Sequence, residues 1–97
     1  FTFSEAVSFV VACDDQEEAD HYWAALTADG GQEGQCGWLK DRFGLSWQVY
    51  PSALGALLGD PNPVRAAAAT RAMLAQRRID LAEIAAAADA AAAADSR

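Results

Sequence analysis

The turn Asp41-Arg42-Phe43-Gly44 constrains this chain more than any other stretch. It separates two runs rich in strand-forming residues, about 35–40 and 45–50, the second reading Leu45-Ser46-Trp47-Gln48-Val49-Tyr50. Four residues with glycine last suit a type I turn closing a hairpin, because glycine takes the left-handed conformation that such a connection needs. Leu45, Trp47 and Val49 then face one way, and Ser46, Gln48 and Tyr50 the other. That is the alternation of a sheet with one dry face and one partly polar face. An isolated hairpin is marginal in water, so other segments must cover the dry face.

Those segments are legible upstream. Asp14 or Asp15 is expected to cap a helix, and Asp15 with Glu18 matches a capping box. Glu17, Glu18 and Asp20 suit its positive N-terminal end. Ala19, Tyr22, Trp23 and Leu26 form one apolar stripe, and Asp29-Gly30-Gly31 closes the helix. Before it, Phe1 to Cys13 reads as a strand bent near Ser4-Glu5. Phe1, Phe3, Val7, Phe9 and Val11 share one parity and are expected to pack on helices. Ala6, Ser8, Val10 and Ala12 are smaller and are expected to line a cavity or a second layer.

Pro51 ends the sheet. Ser52 is expected to cap a short helix over 53–58, stopped by Gly59-Asp60-Pro61-Asn62-Pro63. Asn62 as cap and Pro63 as first helical residue open the next helix, which is expected to run to Arg77 or Arg78. Val64, Ala68, Met73 and Leu74 are its candidate packing residues. Asp80 caps a last helix containing Leu81 and Ile84. Beyond Ile84 almost every residue is Ala or Asp, which favours helix but offers no anchor larger than a methyl group. That end is expected to fray or to pack on a partner.

Much of the 53% hydrophobic content is this alanine, which buries little area, so a chain of 97 residues is marginal as one domain. The apolar face is expected to be completed by another copy or by further sequence. The opening residue is Phe1 rather than methionine, so the natural protein is expected to begin earlier. Residues 1–62 carry ten acids and two bases, residues 63–97 four acids and five bases, and the whole chain a net charge of −7. An acidic body argues against binding a phosphate backbone, so no nucleic acid is expected as partner. No apolar run reaches the roughly 18–20 residues of a membrane span, and the residues from Phe1 show no basic n-region or signal-peptide pattern, so no membrane partner is expected. Cys13 and Cys36 fall in expected strands without Cys-x-x-Cys spacing, so buried reduced thiols and a cytoplasmic location are expected.

The order strand, helix, strand, strand, helices carries a specific resemblance. The run Glu33-Gly34-Gln35-Cys36-Gly37-Trp38-Leu39-Lys40-Asp41-Arg42-Phe43-Gly44-Leu45-Ser46-Trp47-Gln48-Val49-Tyr50-Pro51 resembles PhnB-like proteins. These are the 3-demethylubiquinone-9 3-methyltransferase-domain proteins of the glyoxalase/bleomycin-resistance (vicinal oxygen chelate) superfamily. Phe3-Ser4-Glu5-Ala6-Val7-Ser8-Phe9 and Gln16-Glu17-Glu18-Ala19-Asp20-His21-Tyr22-Trp23 extend the likeness, as do Leu54-Gly55, Leu57-Leu58, Asp60-Pro61, Met73-Leu74 and Ile79-Asp80. It implies an α+β fold: a glyoxalase-like β-α-β-β module with a curved, mostly antiparallel sheet over 1–51, then C-terminal helices over 52–97 with an alanine-rich tail from about 85. It also implies that the chain is the C-terminal one of two modules. Two such modules form a cup, and a lone one is half of it, which makes a homodimer one expected way to complete the site.

In metal-using relatives a first-strand histidine and a last-strand glutamate hold a divalent ion. The resemblance carries those positions onto Ser8 and Gln48, neither the expected ligand, so no metal and no other cofactor is expected. Gln48 instead is a candidate for orienting a small-molecule ligand, with Ser8, Ser46, Tyr50 and Trp38 near it on the same face; hydrogen bonding across the sheet is its alternative. Trp38 and Trp47 are candidates for either pocket wall or core, with Trp47 leaning to core. His21 is expected at the surface, paired with Glu17 one turn earlier. Catalytic residues are not assignable: no Ser-His-Asp set, phosphate loop or methyl-donor glycine motif is present. Three functional readings stand together: a small-molecule-binding domain, with or without a reaction on an unassigned substrate, a sequestering protein of the resistance type, and a structural dimerisation module.

Overall fold

The computed structural model describes residues 3–96. Its elements are β1 (Ser8–Cys13), α1 (Gln16–Thr27), β2 (Gln32–Glu33), β3 (Trp38–Lys40), β4 (Ser46–Pro51), α2 (Leu54–Leu58), α3 (Pro63–Leu74) and α4 (Leu81–Asp95). The fold is α+β, one mixed sheet followed by helices, as expected. The strands stand in the order β1-β4-β3-β2. Two of the three pairings are antiparallel, β2 with β3 and β3 with β4, while β1 runs parallel to β4. Where the resemblance implies curvature, the sheet is uncurled.

The turn at 41–44 forms as its residues dictate. Gly44 sits at φ 84°, its amide donates to the Asp41 carbonyl at 2.9 Å, and the Asp41 amide donates to the Leu45 carbonyl. The Asp41 carboxylate accepts from the Phe43 and Leu45 amides and from Trp47 Nε1. Burial pushes this carboxyl up, but the Trp47, Leu45 and Phe43 hydrogen bonds outweigh it and hold Asp41 below the usual carboxylate value. A second hairpin precedes it: the strand expected over about 35–40 begins only at Trp38, and Gln32–Glu33 forms a further short strand outside that range. Gln32 pairs with Lys40 and Glu33 with Leu39, and the turn closes through the Trp38 amide on the Gln35 carbonyl. Cys36 and Gly37 take positive φ, 57° and 83°, so Cys36 lies in a turn and not in a strand. Both cysteines are free thiols, Cys13 buried and Cys36 half-buried. Burial, with Glu18, Asp14 and Asp15 close by, raises the Cys13 thiol above its ordinary value.

Helix α1 covers one sheet face. Asp15 accepts from the Glu18 amide at 2.8 Å, the expected cap. Ala19 and Trp23 pack with Cys13, Leu39 and Val49, flanked by Val11, Leu26 and Trp47, and form the first core. Tyr22 departs from the expected stripe and is largely exposed. So are Phe3, Val7 and Phe9, because the chain up to Val7 is a turn segment and α1 reaches only the Val11–Cys13 end of β1. The Phe1 end of the expected strand lies outside the described residues.

The helices build a second core from Leu54, Ala69, Ile79, Ile84 and Ala88, with Tyr50 packed against it from the sheet. Asn62 caps α3 through the Val64 and Arg65 amides, and Asp80 caps α4 through the Glu83 amide. Helix α3 stops at Leu74, short of Arg77, and Leu74 is exposed. Ser52 caps nothing: its amide donates to the Cys13 carbonyl, and α2 begins after Ala53 without a side-chain cap. The alanine-rich tail is helical to Asp95, and Ala88 is buried in its own chain. Ile84 anchors it one turn earlier, and small facing side chains suit the close end of the roughly 8–10 Å range of helix spacings.

The two cores are joined by the linker between α3 and α4. The Gln76 and Arg77 carbonyls accept from the Cys36 and Gly37 amides at 2.8 Å each. Gln16, the first residue of α1, donates through Nε2 to the Ile79 carbonyl at 2.7 Å and accepts from the Leu81 amide at 2.8 Å. Gln76 closes the linker on itself, bonded to both the amide and the carbonyl of Asp80. The Arg78 guanidinium pairs with Asp20 on α1. Gln16→Ala should therefore cost about 1–3 kcal/mol in urea unfolding, since it strands one donor and one acceptor at a half-buried junction. A loss below about 0.5 kcal/mol would mean that water replaces the side chain without penalty.

Candidate functional site

The sheet face away from α1 carries the polar residues. The strand register arranges them in rows. Ser8, Ser46, Lys40 and Gln32 lie side by side across all four strands. Val10, Gln48 and Trp38 form the next row, and Ala12 with Tyr50 the third. Four of the five candidates read from the sequence, Ser8, Ser46, Gln48 and Trp38, thus share two neighbouring rows. Tyr50 is drawn away toward the helical core.

Gln48 is half-buried, and its Nε2 donates to Ser8 Oγ at 3.0 Å. The two residues that the resemblance sets at metal-ligand positions are therefore each other's partner. Both are neutral, and a carboxamide with a hydroxyl is a weak donor set for a divalent ion, so these positions do not fit one. Among the described residues no three His, Cys, Asp or Glu side chains gather in a group that would hold a metal. His21 lies exposed on α1, edge-on to Tyr22, and no ion pair joins it to Glu17. Trp47 belongs to the first core, its Nε1 held by Asp41 and its ring 5.1 Å from that of Phe9.

Beside the first row opens a cleft of about 530 Å³. Glu5, Gln32, Glu33, Trp38, Lys40 and Ser46 are among its lining. β3 supplies Trp38 and Lys40, alternate residues of one strand and so on one face. Glu33 shares its row with Leu39 and Trp47, so its carboxylate turns to the α1 face, where Trp23 Nε1 donates to it at 2.8 Å. Lys40 Nζ reaches Glu5 of the N-terminal turn at 3.2 Å, an exposed pair that adds little stability but closes one side of the cleft. Ser46 is 1% exposed, and its Oγ has no hydrogen-bond partner among the described residues.

Sequence reasoning reached Trp38 and Ser46 but missed Glu5, Gln32, Glu33 and Lys40. One signal was present: a turn closed from Asp41 to Gly44 sets Lys40 directly across from Ser46. No comparable signal announces β2, two polar residues without alternation.

A family model described as 3-demethylubiquinone-9 3-methyltransferase matches residues 1–50, just over half of the chain. That span ends at Tyr50 and holds every residue named above as lining the cleft. No curated protein matches the chain. Among the described residues no helix is long and apolar enough to cross a membrane.

The Gln48–Ser8 bond makes a direct prediction. In a double-mutant cycle of Gln48→Ala and Ser8→Ala, the coupling should be about 0.5–1.5 kcal/mol of unfolding free energy. Additive effects would show that Gln48 faces solvent and not its neighbour.

Proposed function

We propose a small-molecule-binding role from the premise that the chain belongs to the 3-demethylubiquinone-9 3-methyltransferase family. The binding site is the cleft between the N-terminal turn and the β2–β3 hairpin. Its volume, about 530 Å³, falls within the roughly 300–1,000 Å³ usual for ligand pockets. One observation carries the reading: the Ser46 hydroxyl, buried and unpartnered on the cleft lining. A buried polar group without a partner costs about 1–3 kcal/mol, and a ligand that meets it recovers that cost. Trp38 supplies a flat wall, and Gln48 with Ser8 continues the polar surface beyond it. The role is binding; whether a reaction follows is a separate property that no nucleophile–base pair in the cleft supports.

A fragment screen by thermal melting tests this. A ligand at tenfold its Kd adds about 1.4 kcal/mol, which raises Tm by roughly 5–10 °C in a domain of this size. Trp38→Ala should remove the shift. If no fragment raises Tm, or if Trp38→Ala leaves the shifts intact, the cleft is not the site.

A second reading, dimerisation, has its own observation. β1 is an edge strand, and Phe9 and Val10, on its two faces, are 52% and 55% exposed. A six-residue apolar edge invites pairing with another chain. Sedimentation equilibrium at tens of micromolar should give the dimer mass, and Val10→Lys should return the monomer. A monomer at those concentrations removes this reading and leaves the cleft untouched.

A further inference from the structure

We infer that the Lys40–Glu5 ion pair is a strap across the cleft, seated over the Ser46 hydroxyl, and that a ligand reaches Ser46 only when the strap is open. The inference rests on the cleft being the binding site and adds the control of its access. Topology is the first argument. The strand order β1-β4-β3 sets Ser46 on β4 between Ser8 on β1 and Lys40 on β3, in one row. Glu5 belongs to the turn that leads into β1, and Lys40 Nζ meets its Oε1 at 3.2 Å. A bond from β3 to the β1 side spans two strand spacings, roughly 10 Å, and passes over β4 at its Ser46 end. Both partners line the cleft together with Ser46.

Burial is the second argument. The sheet face around Ser46 is open: Val10 and Ala12 are exposed, and Gln48 is half-buried. The helical core meets this face at Tyr50, two rows away. Ser46 is nonetheless almost wholly buried, its Oγ sealed without a hydrogen-bond partner among the described residues. Such burial on an open face needs a local cover, and the ion pair is the group that crosses there. The strap is also easily opened. Its lysine and glutamate side chains are 42% and 70% exposed, a setting in which an ion pair is weak and screened by salt. No residue from Phe3 to Val7 is buried. The other hydrogen bonds of that turn, from the Val7 amide to the Ser4 carbonyl and from the Ala6 amide to Ser4 Oγ, are internal to it. Opening therefore breaks one weak contact and no core packing, and it uncovers a free hydroxyl on the wall that Trp38 shares.

Thiol chemistry reads the strap without a ligand. In Ser46→Cys, alkylation at position 46 by the neutral reagent iodoacetamide is followed by peptide mass mapping. It should be slow at low salt and about threefold faster in 1 M sodium chloride, where the Debye length is about 3 Å. Adding Glu5→Gln or Lys40→Ala should each give a similar gain and abolish the salt response. These two substitutions change the charge near the thiol in opposite directions, so a purely electrostatic effect would drive the rates apart, whereas an opened strap raises both. Rates indifferent to the two substitutions, or moved in opposite directions by them, would overturn the strap. The unsubstituted chain gives a second reading that needs no change at Ser46. As salt rises, the Ser46 and Ser8 amide resonances should shift together with that of Glu5, and in Glu5→Gln they should stay still. A Glu5 resonance that moves while Ser46 does not would overturn the strap as well. The fragment screen fails independently: it removes the cleft as a binding site whatever the alkylation shows, and indifferent alkylation with fragments bound removes the strap alone.

Discussion

The short linker from Gln76 to Asp80 holds this molecule together. The first core lies between α1 and the sheet, the second among α2, α3 and α4, and the two share no buried residue. What spans them is largely backbone: two carbonyls of the linker on the Cys36–Gly37 turn, and one carbonyl and one amide near its end on the Gln16 side chain. Ile79, 1% exposed, fills the joint beside Gly37, where an added Cβ would sit 2.9 Å from the Val49 carbonyl and 3.1 Å from Ile79 Cγ1. Glycine at this positive φ is thus required twice, by backbone conformation and by space. Four such hydrogen bonds are worth roughly 2–6 kcal/mol net, comparable to the whole stability of a small domain. The joint is narrow, and the molecule is long for its mass, 55 × 25 × 17 Å.

The joint also sets the cleft. The turn Gln35–Trp38, pinned by the linker on one side, fixes where β3 begins and so where Trp38 stands. β2 has only two residues and would be a weak edge by itself. It is held by the Gly34 amide on the Trp38 carbonyl and by the Trp23–Glu33 bond from the first core. Each functional group of the cleft therefore leans on a buried element: Trp38 on the linker, Ser46 on the inner strand β4.

Local signals were the legible ones. The Asp15, Asn62 and Asp80 caps, the Gly44 turn and the alternation of Leu45 to Tyr50 all depend on residues a few positions apart, and all formed. Contacts across long separations were not legible. Gln16 reads as an ordinary first-turn polar residue, yet it bonds to Ile79 and Leu81, more than sixty residues away. The parity of Phe3, Val7 and Phe9 promised a buried face, but parity cannot say how far α1 extends over a strand. The docking of the alanine-rich tail was not legible either, because a run of alanines does not say what it packs on, whereas completely buried Ile84 and Ala88 seat α4 in the second core. For the site, the face of Ser46, Gln48 and Tyr50 was readable from alternation, while Glu5 and Gln32 arrive by a turn and a two-residue strand that carry no pattern.

The polar face divides into two chemistries, and the division follows from strand order. Next to the parallel edge strand β1, Gln48 and Ser8 satisfy each other, a neutral pair beside Val10 and Ala12. That half is uncharged and self-contained, suited to being covered by another sheet. Toward β2 the face gathers the Lys40–Glu5 pair and Trp38 around Ser46, with one hydroxyl left unanswered. Covering this half with protein would desolvate the Lys40–Glu5 pair and seal in the Ser46 hydroxyl, which is costly unless the cover brings partners for them. A partner laid along β1 and a ligand held at β2–β3 are therefore compatible demands on one sheet, and each half suits the role that the other does not.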